Sequence, residues 1–452
     1  KGLHNASIPH GTLFPCQLFP LSTDSNPLRK VLIPLTSNNR YFMKINKLTL
    51  SNGLRLVHYQ DISTQMVALN IVYDVGARDE HPDHTGFAHL FEHLMFGGSV
   101  NIPDYDAPLQ SAGGENNAWT NNDITNYYLT VPKANVEIGF WLESDRMLSL
   151  AFNEQSLEVQ RGVVMEEFKQ RCLNQPYGDV GHFIRPLAYQ VHPYRWPTIG
   201  KDLSHIEQAT LEEVKAFFYR FYAPNNAVLA VTGNISWEET VRLTEKWFGP
   251  IPRRDVPVRN LPQEIAQTEA RRQVVERPVP LDALFMAYHM CSREHPDYYA
   301  FDILSDILSN GRSSRLNRRL VQEQKLFSSI DAYISGTRDA GLLHISGKPA
   351  AGVSLEEAEA AVCKELEKLQ QTAIEEQELE KVKNKFESTQ IFGNINYLNV
   401  ATNLAWFELT GQAEDIDREV ERYRAVTAEQ LKRVAQEAFR EENSVVLYYK
   451  KE

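Results

Sequence analysis

Two stretches far apart in this chain repeat each other, which limits the fold more than any local pattern. His81-Pro82-Asp83 recurs as His295-Pro296-Asp297, an offset of 295 − 81 = 214. Carried forward without gaps, Phe87 falls on Phe301, Leu90 on Leu304, Leu94 on Leu308 and Gly97 on Gly311. A second anchor joins Thr210, Glu212, Lys215, Tyr222, Asn226 and Val228 to Thr427, Glu429, Lys432, Phe439, Asn443 and Val445, an offset of 427 − 210 = 217. Near-equal offsets at two places mark a duplicated unit. A chain of 452 residues is also too long for one ordinary core and suits two domains of about 200 residues each.

The repeated unit mixes strands and helices. Leu48, Leu50, Asn52-Gly53, Leu54 and Leu56 read as two alternating strands around a tight turn. Further strands are expected at 66–75, 126–131 and 227–232, and helices at 134–150, 154–171, 211–222 and 237–248. Gly249-Pro250-Ile251-Pro252-Arg253-Arg254 and the polar residues through Pro262 interrupt the pattern, and a second set of strands and helices starts near Gln273. The expected class is therefore α+β, with one domain over 43–252, a linker over 253–272 and a homologous domain over 273–452. Residues 1–42 are rich in Pro, Ser and Asn without sustained periodicity and read as an irregular extension. They lack the basic, then apolar, then small-residue order of a secretory signal.

The richest chemistry lies in His89-Leu90-Phe91-Glu92-His93. On a helix, residues three and four apart share a face, so both histidines can grip one ion with Glu92 beside them. This is the inverted zinc-hydrolase order, H-x-x-E-H. A helix that merely happens to carry two histidines and an acid is the plainer alternative, but these groups are costly on a largely apolar face. A catalytic zinc usually takes three protein ligands and leaves one position open. Glu166 and Glu167 offer the third, and a helix sets them about 100° apart, so one faces inward and the other solvent. The repeat is stripped of these groups: His89 falls on Ile303, Glu92 on Asp306 and His93 on Ile307. Only the first copy is metal-competent.

Composition narrows the partners. The net charge of −12 argues against nucleic acid, and no apolar run reaches the length of a membrane span. The four cysteines, Cys16, Cys172, Cys291 and Cys363, are scattered and suit neither a disulfide framework nor a cysteine zinc site. His192, His205, His289 and His344 read as structural or surface residues, and the aromatic run Phe217, Phe218, Tyr219, Phe221, Tyr222 as packing. The compartment expected is the cytoplasm, with the periplasm as the alternative.

From Met43 onward the chain resembles the pitrilysin/insulinase peptidases, in particular the half-size branch that includes the mitochondrial processing peptidases. That family follows H-x-x-E-H, some seventy-odd residues later, with R-x-V-V-x-E-E. Arg161, Val163, Val164, Glu166 and Glu167 match, at a spacing of 167 − 93 = 74. Asn117-Ala118-x-Thr120-x-x-Asp123-x-Thr125, Tyr194-x-x-Pro197-x-x-Gly200 and Tyr222-x-Pro224-x-Asn226 match further landmarks. The resemblance implies two α+β domains, each an antiparallel sheet packed with helices, and one Zn2+ per chain held by His89, His93 and Glu167. Glu92 is then the base that takes a proton from water. Asn117, Ala118 and Trp119 would lay a peptide substrate along their backbone, although an ordinary sheet edge explains them equally well. Where the family usually has a supporting glutamate, this chain has Gln160. The family's substrate-binding Arg and Tyr align with Val321 and Ser328, which cannot do that work. The implied function is a zinc-dependent endopeptidase, the zinc-bearing subunit of a heterodimer whose homologous partner supplies the Arg/Tyr pair. A non-catalytic scaffold subunit and a zinc hydrolase of non-peptide substrates are the alternatives.

Overall fold

The structure is a computed structural model that describes residues 42–452. The extension expected at 1–42, with Cys16, lies outside the described residues except for Phe42. In the first half six strands form one sheet: β1 (Ile45–Thr49), β2 (Arg55–Gln60), β3 (Met66–Tyr73), β4 (Glu115–Thr120), β5 (Thr125–Pro132) and β6 (Ala227–Gly233), in the order β1-β2-β6-β3-β5-β4. In the second half five strands form another: β7 (Arg271–Arg277), β8 (Ala283–His289), β9 (Phe327–Ile334), β10 (Leu342–Pro349) and β11 (Ser444–Lys451), in the order β7-β11-β8-β10-β9. With β1 set aside the two orders correspond strand for strand, which is the duplication expressed in topology.

Neither sheet is wholly antiparallel as expected. β6 runs parallel to β2, and β11 runs parallel to β7, while the remaining pairs are antiparallel. Parallel neighbours need a long crossover, and residues 133–226, mostly helical, bring the chain from β5 back to the slot between β2 and β3. The β1–β2 hairpin turns through Gly53 at φ +91°, where a side chain would be strained and would also strike Asn225.

Strand alternation divides each sheet into two apolar faces. In β3, Val67, Leu69, Ile71 and Tyr73 enter a core with the helices Phe87–Leu94, Val136–Leu148 and Trp237–Phe248. Ala68 and Val72 point the other way, beside Val57, Ile124, Val228 and Ala230. That second face is covered by a helix from the other half, Tyr397–Thr410, through Val400, Ala401, Leu404 and Ala405. The second sheet receives the reciprocal gift. Helix Val180–Ala188 of the first half sets Ile184 and Ala188 against Ala287, Leu342 and Val445. Since 397 − 180 = 217, the exchanged helices occupy equivalent places in the repeat. The sequence reading missed Val180–Ala188 because Gly181 and Pro186 interrupt its pattern.

Because of this exchange, Met43–Glu452 is one compact body. The stretch read as a linker has no regular structure up to β7, yet it is tied down. Arg259 reaches Asp74 at 2.7 Å and Asp79 at 2.6 Å. The Glu264 carboxylate accepts from the N–H groups of Gln190, Val191 and His192 at 2.8–3.0 Å. No helix among the described residues is long and apolar enough to cross a membrane.

Candidate metal centre

The Phe87–Leu94 helix buries Phe87, Leu90, Phe91 and Leu94 on its apolar side. Phe91 stacks on Phe217 and Tyr222, both at 5.1 Å between ring centroids, so the aromatic run read as packing braces this helix from behind. The helix starts without a side-chain cap. Neither Asp83 nor Thr85 caps it; Gly86 stands at the cap with φ +90° and no side-chain bond. Thr85 is drawn away to His205, its hydroxyl 2.9 Å from Nδ1. Glu80 reaches in instead, accepting from the N–H groups of Gly86 at 2.9 Å and Ala88 at 2.8 Å. Burial pushes the Glu80 carboxyl up to about 8, against the pull of those two N–H groups. An acid six residues before the cap has no local signature, and only folding brings it there.

His89, His93 and Glu167 form the group of three whose possible ligand atoms all lie within 4.8 Å of one another. Their Nε2 atoms stand 3.6 Å (His89) and 3.2 Å (His93) from Glu167 Oε2. Tetrahedral N and O ligands at about 2.1 Å from zinc lie about 3.4 Å apart, so the donor set and its spacing fit that ion. Glu167 comes from the Glu154–Phe168 helix; Glu166 beside it is exposed and pairs with Lys169 at 2.6 Å. Burial drives His89 down to about 4, helped by the neighbouring His93 and opposed by Glu167. Burial would raise Glu167, but its hydrogen bond to His93 and the charges of His89 and Arg171 hold it at about 2. His89 keeps a neutral, metal-ready ring, although its buried Nδ1 has no hydrogen-bond partner.

Glu92 lies next to this trio without joining it. Burial raises its carboxyl, opposed by a hydrogen bond from Thr120 and the charge of His93. A raised carboxyl suits a proton acceptor better than an ordinary one. The helix carrying Glu167 continues into a π-helical turn, Lys169–Leu173, which brings Arg171 back to within 2.9 Å of Glu167 Oε1. Thr120, known from the sequence only as a motif landmark, and Arg171 are thus the supporting residues.

Gln160 stands at the position of the family's supporting glutamate. It is half-buried and makes no hydrogen bond to His89, His93 or Glu167. Seven residues before Glu167 it stands about 10 Å down the helix axis, level with Gly97, where an added side chain would come within 4.0 Å of its Nε2. Asn117, Ala118 and Trp119 lie on β4, the edge of the first sheet, paired only with β5. The Ala118 N–H is taken by Asn117 Oδ1 at 2.8 Å, and Trp119 packs on the opposite face of the sheet, against the helix from the other half.

In the second half the equivalent helix is Tyr298–Ser309, with Ile303 and Ile307 fully buried and Asp306 hydrogen-bonded by Asn310 at 2.8 Å. Val321 packs on the second core, and the Ser328 hydroxyl donates to the Lys348 carbonyl at 3.1 Å.

Comparison with known proteins follows this division. Residues 55–195 match the family model described as insulinase (peptidase family M16), and residues 208–386 match the peptidase M16 inactive domain. All three candidate ligands fall in the first match. The chain is 29% identical over 418 residues to the zinc protease PqqE of Helicobacter pylori, covering 91% of this chain and 94% of that protein. It is 24% identical over 311 residues to a probable mitochondrial-processing peptidase subunit beta of Arabidopsis thaliana, covering 66% of this chain and 58% of that one. The crystal structure of a protease from Helicobacter pylori superposes with a TM-score of 0.86 at 28% identity, covering 91% of this chain and all of that one.

Proposed function

The chain belongs to the insulinase-like peptidase family M16, and from that premise we propose that it is a zinc-dependent endopeptidase acting on peptides or unfolded segments. One observation carries the reading: two imidazoles and one carboxylate stand at ligand spacing, with a separate half-buried carboxylate one turn away. His89, His93 and Glu167 would hold the ion. Zinc in such a site supplies a Lewis acid that polarises a carbonyl and acidifies water. Glu92 takes the proton of the attacking water and passes it to the leaving amine. Thr120 orients Glu92, and Arg171 keeps Glu167 ionised. An extended segment lying along the β4 edge would be held by backbone pairing, with Asn117 Oδ1 giving up the Ala118 N–H to it.

Val321 and Ser328 put no donor where a developing oxyanion would need one. A homologous partner chain carrying an Arg/Tyr pair supplies it, and the active species is a heterodimer. The test is Glu92→Gln against wild type, each with and without the co-purifying partner. Glu92→Gln should retain about one zinc per chain by metal analysis and lose peptide cleavage by at least about a hundredfold. Zinc bound without cleavage by the wild-type complex would favour the scaffold alternative, and full activity of the isolated chain would remove the partner.

A further inference from the structure

Arginines set into the body of this protein come with a counter-charge. Arg78 lies 3.2 Å from Asp123, Arg146 reaches Glu143 at 2.6 Å, and Arg293 reaches Glu419 at 2.8 Å. Arg254 and Arg271 lack carboxylates but donate to carbonyls at helix ends, Met147 at 3.3 Å and Leu187 and Ala188 at 2.8–2.9 Å. Partial negative charge collects at such ends.

Among the described residues Arg185 has no carboxylate partner and a single carbonyl acceptor. It sits on the exchanged Val180–Ala188 helix, between the first half and the second sheet. Its Nη1 donates to the Tyr194 carbonyl at 3.2 Å and approaches Asn122 Oδ1 at 3.5 Å. Nε and Nη2, the pair that forms a side-on fork, meet no hydrogen-bond partner among the described residues. The titrating groups that act on it are three tyrosines, Tyr189, Tyr333 and Tyr194, and burial lowers its pKa. Sinking a guanidinium without a counter-ion is costly, and an arriving anion recovers that cost.

Leu342, against which this helix packs, shares its face of β10 with His344, whose partner across the ladder is Tyr333. Tyr333 on β9 stacks on His344 of β10 at 4.8 Å between centroids, and Tyr333 remains 54% exposed, so this wall meets solvent. Burial and the Arg185 charge push His344 down to about 3, leaving a neutral imidazole beside one uncompensated cation. Asn122 follows Thr120 by two residues, at most about 7 Å along the chain, and Thr120 holds Glu92. One turn before Arg185, His182 packs on Phe168, the residue after Glu167, at 5.4 Å.

We propose that Arg185, flanked by Tyr333 and His344, is a carboxylate-binding point on the substrate path. It takes an acidic side chain or the free C-terminus of a peptide, a few residues from the bond at the metal centre. The inference rests on the peptidase reading above. A planar guanidinium with Nε and Nη2 free matches a carboxylate through two parallel N–H bonds, which a lysine could not reproduce. The net charge of −12 repels acidic peptides at long range, so a preference for them requires a local cause.

The test uses the zinc-loaded Glu92→Gln chain, with its partner where one co-purifies, and amidated ten-residue peptides measured by calorimetry. One series walks a single Glu through a neutral sequence, and one peptide carries the neutral sequence with a free C-terminal acid. One Glu position, or the free acid, should bind roughly ten- to a hundredfold tighter than the neutral amide. Whichever wins identifies the source of the carboxylate. Arg185→Gln should abolish the preference while leaving neutral-amide affinity within about twofold, and Arg185→Lys should restore only part of it. Equal binding of acidic and neutral peptides overturns the inference, as does a preference that survives Arg185→Gln. Failure of every peptide to bind instead overturns the peptidase reading, and this inference with it. The comparison among peptides on the unsubstituted Arg185 protein holds even if a variant folds poorly.

Discussion

Cutting the chain at the linker should leave two pieces that cannot fold apart. A fragment over residues 43–252 loses the Tyr397–Thr410 helix, and Val57, Val72, Ile124 and Val228 on the uncovered face of its sheet return to water. Each fully buried aliphatic side chain is worth about 1.5–3 kcal/mol, so these four forfeit roughly 6–12 kcal/mol before the alanines are counted. That equals the whole stability of a typical domain, about 5–15 kcal/mol. The fragment over 273–452 likewise loses Ile184 and Ala188 from its sheet. Each fragment expressed alone should bind an apolar dye, show no cooperative urea transition and aggregate. Co-expressed, the two should assemble into a soluble pair with one transition near that of the intact chain. A 43–252 fragment that melts cooperatively and stays monomeric would refute the argument that the exchanged helices make the halves interdependent.

Two smaller perturbations probe the centre. At pH 9, above the Glu80 titration at about 8, Glu80→Gln replaces an acceptor facing the N–H groups of Gly86 and Ala88 with a nitrogen donor, so the metal helix should lose about 1–3 kcal/mol and zinc affinity by chelator competition should fall about ten- to a hundredfold; unchanged affinity and unchanged urea midpoint at that pH would remove Glu80 as a positioning residue. In the EDTA-treated chain, His89 titrates at about 4 in the fold and near 6.5 when unfolded. Its contribution is therefore present above pH 6.5 and lost as pH falls towards 4, about 3 kcal/mol in all. Urea midpoints at pH 7 and 4.5 should differ more for wild type than for His89→Gln, and parallel shifts would contradict the assignment.

Much of the site could be read before folding because helical spacing is local physics. His89 and His93 must share a face if Gly86 to Phe96 is helical, and of Glu166 and Glu167 only one can turn inward. The resemblance chose Glu167, and the fold places that residue beside both histidines. Gln160, two turns before Glu167 on the same helix, stands beside Gly97 at the end of the metal helix. Local spacing does not reveal the roles of Thr120, Arg171 and Glu80. Each has no stated role in the site until a sheet edge, a π-helical turn or a buried loop carries it to its target.

The same boundary separates the two levels for the molecule as a whole. Period, turn residues and the repeated anchors determined several strands and helices of the first half, the duplication and the asymmetry that leaves ligands in one copy only. These are properties of residues within a few positions of one another, or of two copies compared directly. Tertiary structure alone decided that β6 and β11 run parallel to a neighbour, that a helix from each half covers the other's sheet, and that Arg185 stands without a counter-ion. All three depend on which apolar faces remain uncovered once the strands have paired, and no stretch of sequence contains the face it will finally meet.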